Sequence, residues 1–107
     1  MTTTSNIVHN GDVGTKFDVL IIDRNTGAVV DISLATLKQI NFRKGDTSIL
    51  GPLTAAFDAT NGVDGVIRYV SVSGDIIENG DWIYWGYVET PFGKYTSDPI
   101  PFKVISN

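Results

Sequence analysis

Hydrophobic residues occupy both faces of the segment 81–90, which reads Asp-Trp-Ile-Tyr-Trp-Gly-Tyr-Val-Glu-Thr. Successive side chains of a β-strand point to opposite sides of the sheet. One face would therefore hold Trp82, Tyr84, Gly86 and Val88, and the other Ile83, Trp85 and Tyr87. A sheet in a small domain normally buries one face and leaves the other polar. The pattern predicts a strand with one face in the core and a second face that also needs cover.

Shorter alternations along the rest of the chain predict further strands. They cover residues 16–23, 28–30, 37–44, 47–59, 66–72 and 94–105. At most one helical turn is expected, within residues 31–37, where Asp31 or Ser33 offers a cap. Proline cannot donate to a ladder, so Gly51-Pro52 predicts a break or bulge at a sheet edge, and Pro99 and Pro101 favour an edge position for the last strand.

Seven or eight short strands, with turn signals every 8 to 12 residues or so and almost no helical periodicity, predict an all-β fold. The expected architecture is an immunoglobulin-like β-sandwich. At 107 residues the chain has the size of one domain with one core. We expect a single domain over residues 1–107, with the small polar residues 1–5 forming a flexible N-terminal arm.

The charge balance argues against two classes of partner. The net charge is -4 and charged residues make up 19% of the chain, against about 25% in typical soluble domains. An acidic protein has no general attraction to phosphate backbones or anionic lipid. No apolar run approaches the roughly 20 residues that span a bilayer. We therefore expect no nucleic-acid partner and no membrane partner.

Candidate catalytic groups are few. The single histidine, His9, lies beside the N-terminal arm and no Gly-x-Ser-x-Gly motif accompanies it. We interpret it as a solvated or hydrogen-bonding side chain. Asp75, Glu78 and Asp81 share a segment rich in turn residues, where capping and solvation explain them more simply than a glycosidase carboxylate pair. The sequence predicts no catalytic residue, and we expect that the protein is not an enzyme.

Candidate metal and cofactor motifs are incomplete. The absence of cysteine excludes thiolate zinc sites and disulfides. The segment 58–65 gathers oxygen ligands around glycines, but its spacing does not match a calcium loop. Gly11-Asp-Val-Gly14 lacks the lysine and the following helix of a phosphate loop. We expect turns at both places, with no metal and no cofactor.

The strongest positive signal is the outer row of the aromatic strand, formed by Ile83, Trp85 and Tyr87. Tryptophan and tyrosine are enriched at the anchors of protein interfaces, so we predict that these three residues form a partner interface. The alternative is that a loop or the N-terminal arm of the same chain covers them. Aromatic rows also stack on sugar rings, so a small carbohydrate-binding module is the competing functional class.

Several stretches, taken in order, resemble the N-terminal domain of the phage baseplate upper protein family. They span about residue 9 to residue 104 and include His9-Asn-Gly-Asp-Val-Gly-Thr15, Asp23-Arg-Asn-Thr-Gly-Ala-Val-Val-Asp-Ile-Ser33 with Ala35-Thr36, Ile40-Asn-Phe-Arg-Lys44, Asp64-Gly-Val-Ile-Arg-Tyr69, Gly74-Asp-Ile76, Gly80-Asp-Trp82 and Gly86-Tyr-Val88. The chain departs from the family at Arg43-Lys-Gly-Asp-Thr47, where the usual Lys-Pro-Asp-Gly turn has lost its proline.

The resemblance implies an immunoglobulin-like virion component of the tail or baseplate, and the family carries no catalytic motif to transfer. The expected partners are other virion proteins and further copies of this chain in a homo-oligomer, assembled in the host cytoplasm. A capsid decoration (cement) protein on the capsid surface is the alternative within the same class. The alternative of another class remains the carbohydrate-binding module, with a glycan as ligand.

Overall fold

The computed structural model describes residues 7–58 and 61–106, and these residues form strands and turns without any helix. The strands are β1 (Ile7–His9), β2 (Lys16–Leu20), β3 (Leu37–Arg43), β4 (Ile49–Thr54), β5 (Ala56–Phe57), β6 (Val66–Val70), β7 (Gly80–Thr90), β8 (Gly93–Thr96) and β9 (Ile100–Ile105). The all-β prediction is confirmed. The predicted arm, residues 1–5, lies outside the described residues. In this part of the chain, no helix has the length and apolar character needed to cross a membrane.

The strands form two sheets that pack face to face. The larger has six strands in the order β1-β9-β7-β3-β4, with β8 also paired to β7, and the smaller has the order β2-β6-β5. Only the pairing of β1 with β9 is parallel among the described strands. This arrangement places β2, β6 and β5 where an immunoglobulin domain has strands B, E and D, and β3, β7 and β9 where it has C, F and G. The predicted immunoglobulin-like sandwich is confirmed.

The structure describes nine strands, against the predicted seven or eight, and the two numbers agree once interrupted strands are counted as one. β8 and β9 follow each other along the same side of β7, while β3 lies along the other side. β4 and β5 are separated only by Ala55, a buried residue at which the chain passes from the larger sheet to the smaller one. Segment 28–30, predicted as a strand, makes only an isolated bridge from Val29 to Ile22.

Aromatic rings from both sheets fill the core. The ring of Phe42 lies at its centre, with centroid distances of 4.9 Å to Phe17 and 6.2 Å to Trp82. Phe102 and Tyr84 complete the group at 5.7 Å from each other. Most of these pairs meet edge to face, the arrangement that the ring quadrupole favours. The two sheets are therefore held by one continuous core.

Two hydrogen-bonded corners fix the connection from β6 to β7. Trp82 is buried, and its indole N–H donates to the carbonyl of Glu78 at 3.0 Å. Immunoglobulin domains often place a tyrosine near this point, with its hydroxyl bonded back to the upstream backbone. Trp82 makes the equivalent bond here. It therefore closes the corner and anchors the start of β7 in the core.

The second corner joins Tyr69 on β6 to Asp75 in the same connection. The Tyr69 hydroxyl donates to the Asp75 carboxylate at 2.5 Å, and the backbone N–H of Val72 donates to the same oxygen at 2.9 Å. Burial and this hydrogen bond raise the pKa of Tyr69 to about 12. Asp75 thus caps its own loop, as predicted, but it is buried against the core and not solvated.

The proline-based predictions of sheet edges have different outcomes. β4, which contains Gly51 and Pro52, lies at an edge of the larger sheet and its register with β3 shifts beside them, as predicted. The edge position of the last strand is wrong, because β1 pairs with β9 on its outer side. That pairing covers only residues 103–105, so Pro101 precedes it and does not obstruct it.

Candidate interaction surface

The two faces of β7 have different surroundings. The inner row is deeply buried at Trp82 and Val88, whose side chains are 1% and 0% exposed, and Gly86 is buried between them. The outer row, Ile83, Trp85 and Tyr87, is half-buried. The predicted division of β7 into these two faces is confirmed. We call Ile83, Trp85 and Tyr87 the outer strip.

The outer strip runs along the middle of the larger sheet. On one side it is paired with β3, where Arg43 lies opposite Ile83, Asn41 opposite Trp85, and Gln39 opposite Tyr87. On the other side Pro101 lies opposite Ile83 and Thr96 opposite Tyr87. Because neighbouring strands are only about 4.8 Å apart, these side chains partly cover the strip from both sides. This accounts for the half-burial of three large side chains on an outer face.

Polar groups limit the motion of the strip at one end. The Tyr87 hydroxyl donates to the Glu89 carboxylate at 2.7 Å. This hydrogen bond, with burial and the negative charge of Glu89, raises the pKa of Tyr87. The ring is therefore held along the strand by a bond to a residue two positions away. An aromatic side chain held in place loses less conformational entropy when a partner covers it.

The margin of the same face carries charge. The Lys103 ammonium lies 3.9 Å from the Asp81 carboxylate, and both side chains are largely exposed. Arg43 is also exposed. An apolar and aromatic centre beside neutral amides, with charged groups further out, is the composition typical of protein interfaces. This composition favours the interface predicted for the outer strip, which stays a prediction.

Sequence reasoning found the strip but not its neighbours. Gln39 and Asn41 alternate with buried Ile40 and Phe42, so their outward direction was visible in the pattern. Their position beside Tyr87 and Trp85 was not, because it depends on the register between β3 and β7. The sequence around Pro101 likewise does not indicate that this residue lies opposite Ile83.

The other candidate residues do not converge on a chemical site. His9 is exposed on β1, and its backbone N–H donates to the Asp12 carboxylate at 3.1 Å. Asp64 accepts the backbone N–H of Val66 at 3.1 Å, as expected for a turn. Within residues 7–58 and 61–106, no group of three or more histidine, aspartate or glutamate side chains is placed to hold a metal ion.

Comparisons with known proteins give no relative from which a function can be transferred: no family model, no curated protein and no solved structure matches this chain.

Proposed function

We propose that this protein is a structural component of a phage virion, in the tail or baseplate, that acts by protein–protein contacts through the outer strip. The observation that carries the proposal is the half-buried row of Ile83, Trp85 and Tyr87 on the outer face of β7. β7 is the middle strand of the larger sheet. A surface row at this position meets a flat partner without displacing any element of the fold.

The energy available from the strip suits an assembly with repeated contacts. Burying one large aromatic side chain completely is worth roughly 1.5 to 3 kcal/mol. Because each side chain of the strip is already largely covered within its own chain, a partner gains at most about a third of that value from each. One contact of this kind is weak alone. Several contacts within a ring or on a particle surface reinforce one another, since each bound contact raises the effective concentration of the next.

The assignment to a virion rests on the ordered resemblance to the phage baseplate upper protein family. The immunoglobulin-like topology is the fold that this resemblance implies. Fold alone does not determine function, so the topology supports the proposal only together with the ordered segments. The tail or baseplate is the proposed location, and the capsid surface is the alternative within the same class.

The first test is the solution mass of the purified protein, measured by light scattering over a concentration series. The wild type is expected to form multimers, and Trp85→Ala is expected to shift the midpoint of assembly to higher concentration while retaining the circular dichroism spectrum of the fold. Phe92→Ala is the matched control, because Phe92 is 79% exposed at the β7–β8 turn, away from the strip. A Trp85→Ala variant that assembles like the wild type would contradict the proposed role of the strip.

Two further measurements separate the alternatives. Antibodies raised against the protein are expected to label purified phage particles on the tail, whereas labelling of the head would favour the decoration role. A glycan array is expected to show no saccharide preference. Selective binding to a related set of saccharides, lost in Trp85→Ala, would instead identify a carbohydrate-binding module.

A further inference from the structure

Among the described residues, β2 and β5 form the two edges of the smaller sheet, and β2 is the longer of the two. β2 pairs with β6 through five consecutive residues, Lys16 to Leu20, without a register shift. Its other side pairs with no strand in the part of the chain that the structure describes. An uncovered edge presents a row of backbone N–H and C=O groups to any chain that approaches in an extended conformation.

The hydrogen bonds show which peptide groups of β2 face outward. Ile21 N–H donates to Gly65 at 2.9 Å, and the Thr15 carbonyl accepts from Ser71 N–H at 2.9 Å, so the odd-numbered positions face β6 and the residues next to it. The Asp18 carbonyl instead accepts the Tyr84 hydroxyl, at 3.3 Å, from the larger sheet. The peptide groups of Lys16, Asp18 and Leu20 therefore point away from β6, and the Asp18 carbonyl keeps a second lone pair beside the bond from Tyr84.

The other edges are poorly suited to strand addition. β1 has three residues and β5 has two. β8 has four residues next to a tight turn. β4 contains Pro52, which has no N–H to donate, and its register shifts beside Gly51. Within residues 7–58 and 61–106, β2 is the longest edge strand without such an obstacle.

The side chains on the exposed face of β2 are complementary to those of a second copy. Lys16 and Asp18 are both exposed and carry opposite charges two residues apart. If two β2 strands pair antiparallel around Phe17, each Lys16 lies directly opposite the partner's Asp18. This register makes two identical cross-strand charge pairs. A register centred on Asp18 places two carboxylates opposite each other, which is destabilising.

Arg68 prepares Asp18 for this role. Its guanidinium donates to both Asp18 oxygens, at 2.6 and 3.0 Å. The carboxylate is thereby fixed on the outer face of β2, while 45% of the Asp18 side chain remains exposed. An approaching lysine therefore meets an ordered acceptor.

We propose that two copies of this chain associate edge to edge through antiparallel β2 strands, with Lys16 opposite Asp18 of the partner subunit. The two smaller sheets then form one continuous sheet across a twofold axis. This contact is separate from the outer strip, which lies on the other sheet. Two different contacts on one protomer allow an assembly to grow beyond a dimer, whereas either contact alone closes after one step if it is twofold.

Disulfide trapping tests the register directly, because the chain has no cysteine of its own. An equimolar mixture of Lys16→Cys and Asp18→Cys proteins is expected to give a mixed disulfide dimer on mild oxidation. The matched control is a mixture of Lys16→Cys with Leu20→Cys, which lies on the same edge and is expected to cross-link at least several-fold less. Preferential cross-linking of Lys16→Cys to Leu20→Cys, or of Asp18→Cys to itself, would overturn the proposed pairing.

A reversible measurement complements the trapping. Lys16→Asp places two carboxylates opposite each other at each pair and is expected to raise the dimer dissociation constant by about tenfold. Lys94→Asp on β8 is the charge-matched control and is expected to leave the constant unchanged. Both are measured in the Trp85→Ala background, so a loss of the strip contact is not mistaken for a loss of the edge contact. An unchanged constant for Lys16→Asp would contradict the proposal.

Discussion

The two tryptophans of this chain are three positions apart on one strand, yet their environments differ. Trp82 is 1% exposed and closes a corner through its indole N–H. Trp85 is half-buried on the outer face, between Asn41 and the β8–β9 side of the sheet. Residue type alone therefore does not assign a role within β7. Position on the inner or outer face decides whether an aromatic side chain supports the fold or is available to a partner.

The strongest test of this comparison is Trp82→Ala. Removing a large buried side chain leaves a cavity, and the expected loss in the free energy of unfolding is about 3–5 kcal/mol. Trp85→Ala is the counterpart on the outer face and is expected to cost about 1 kcal/mol, since only part of its side chain leaves an apolar environment. Urea denaturation followed by far-UV circular dichroism measures both. Equal losses in the free energy of unfolding would show that the outer face of β7 contributes as much to the stability of the fold as the inner face does.

Gly86→Ala tests the inner face in the opposite sense, by adding volume. A β-carbon at Gly86 would lie 2.9 Å from a methyl group of Val19 and 3.0 Å from the terminal methyl of Ile67, both on the smaller sheet. The sheets must separate slightly or the side chains must shift, at an expected cost of about 1–3 kcal/mol. The urea midpoint reports this loss. A Gly86→Ala variant as stable as the wild type would mean that the sheets are less tightly packed at this point.

Trp82→Phe separates the contribution of the corner hydrogen bond from that of the volume of the Trp82 side chain. Phenylalanine retains most of the apolar contact but leaves the Glu78 carbonyl without the indole donor. The expected cost is about 1 kcal/mol for the bond, plus a contribution from the smaller ring. Thermal unfolding should place this variant between the wild type and Trp82→Ala. A melting temperature equal to that of Trp82→Ala would show that volume contributes little compared with the bond.

A smaller expected effect concerns the two tyrosines of β7, which lie on opposite faces. Burial raises the pKa of Tyr84, with the charge of Asp18 adding to it, whereas the hydrogen bond to Glu89 is the main cause of the raised pKa of Tyr87. Glu89→Ala should therefore lower the pKa of Tyr87 and leave that of Tyr84 unchanged. Carbon-13 NMR of labelled tyrosine rings measures both titrations, and a parallel fall at Tyr84 would contradict this separation of causes.

The raised pKa of Tyr69 makes the stability of the fold depend on pH on the alkaline side. A tyrosine whose pKa is higher in the folded than in the unfolded protein stabilises the fold below pH 10, and that contribution is lost as the pH rises through the folded value. Tyr69, with a pKa of about 12, should lose its contribution between about pH 10 and 12. Tyr69→Phe is expected to show a shallower fall in melting temperature over this range. If the melting temperature of Tyr69→Phe falls as steeply as that of the wild type, the ionisation of Tyr69 does not contribute to the loss of stability.

The sequence was sufficient for the features that depend on local periodicity. The alternation within β7 separated its inner and outer rows, and Gly51-Pro52 placed β4 at an edge. The sequence was insufficient for features that depend on how distant segments pair, such as which strands lie at the edges of a sheet. The three residues of β1 carry no strand signal of their own, yet their parallel pairing covers the last three residues of β9 and makes the predicted edge position wrong. The neighbours of the outer strip on β3 and β9 also depend on register, which a single strand does not encode.

The placement of Trp82 and Trp85 also supplies the molecule with two built-in optical reporters. The indole of Trp82 is shielded and bonded to a carbonyl, so its emission changes only when the corner opens. The indole of Trp85 is partly accessible to a soluble quencher, and the proposed partner would shield it. Single replacements by phenylalanine would separate the two signals, so that fluorescence from one strand could follow unfolding and the proposed docking independently, without any attached dye.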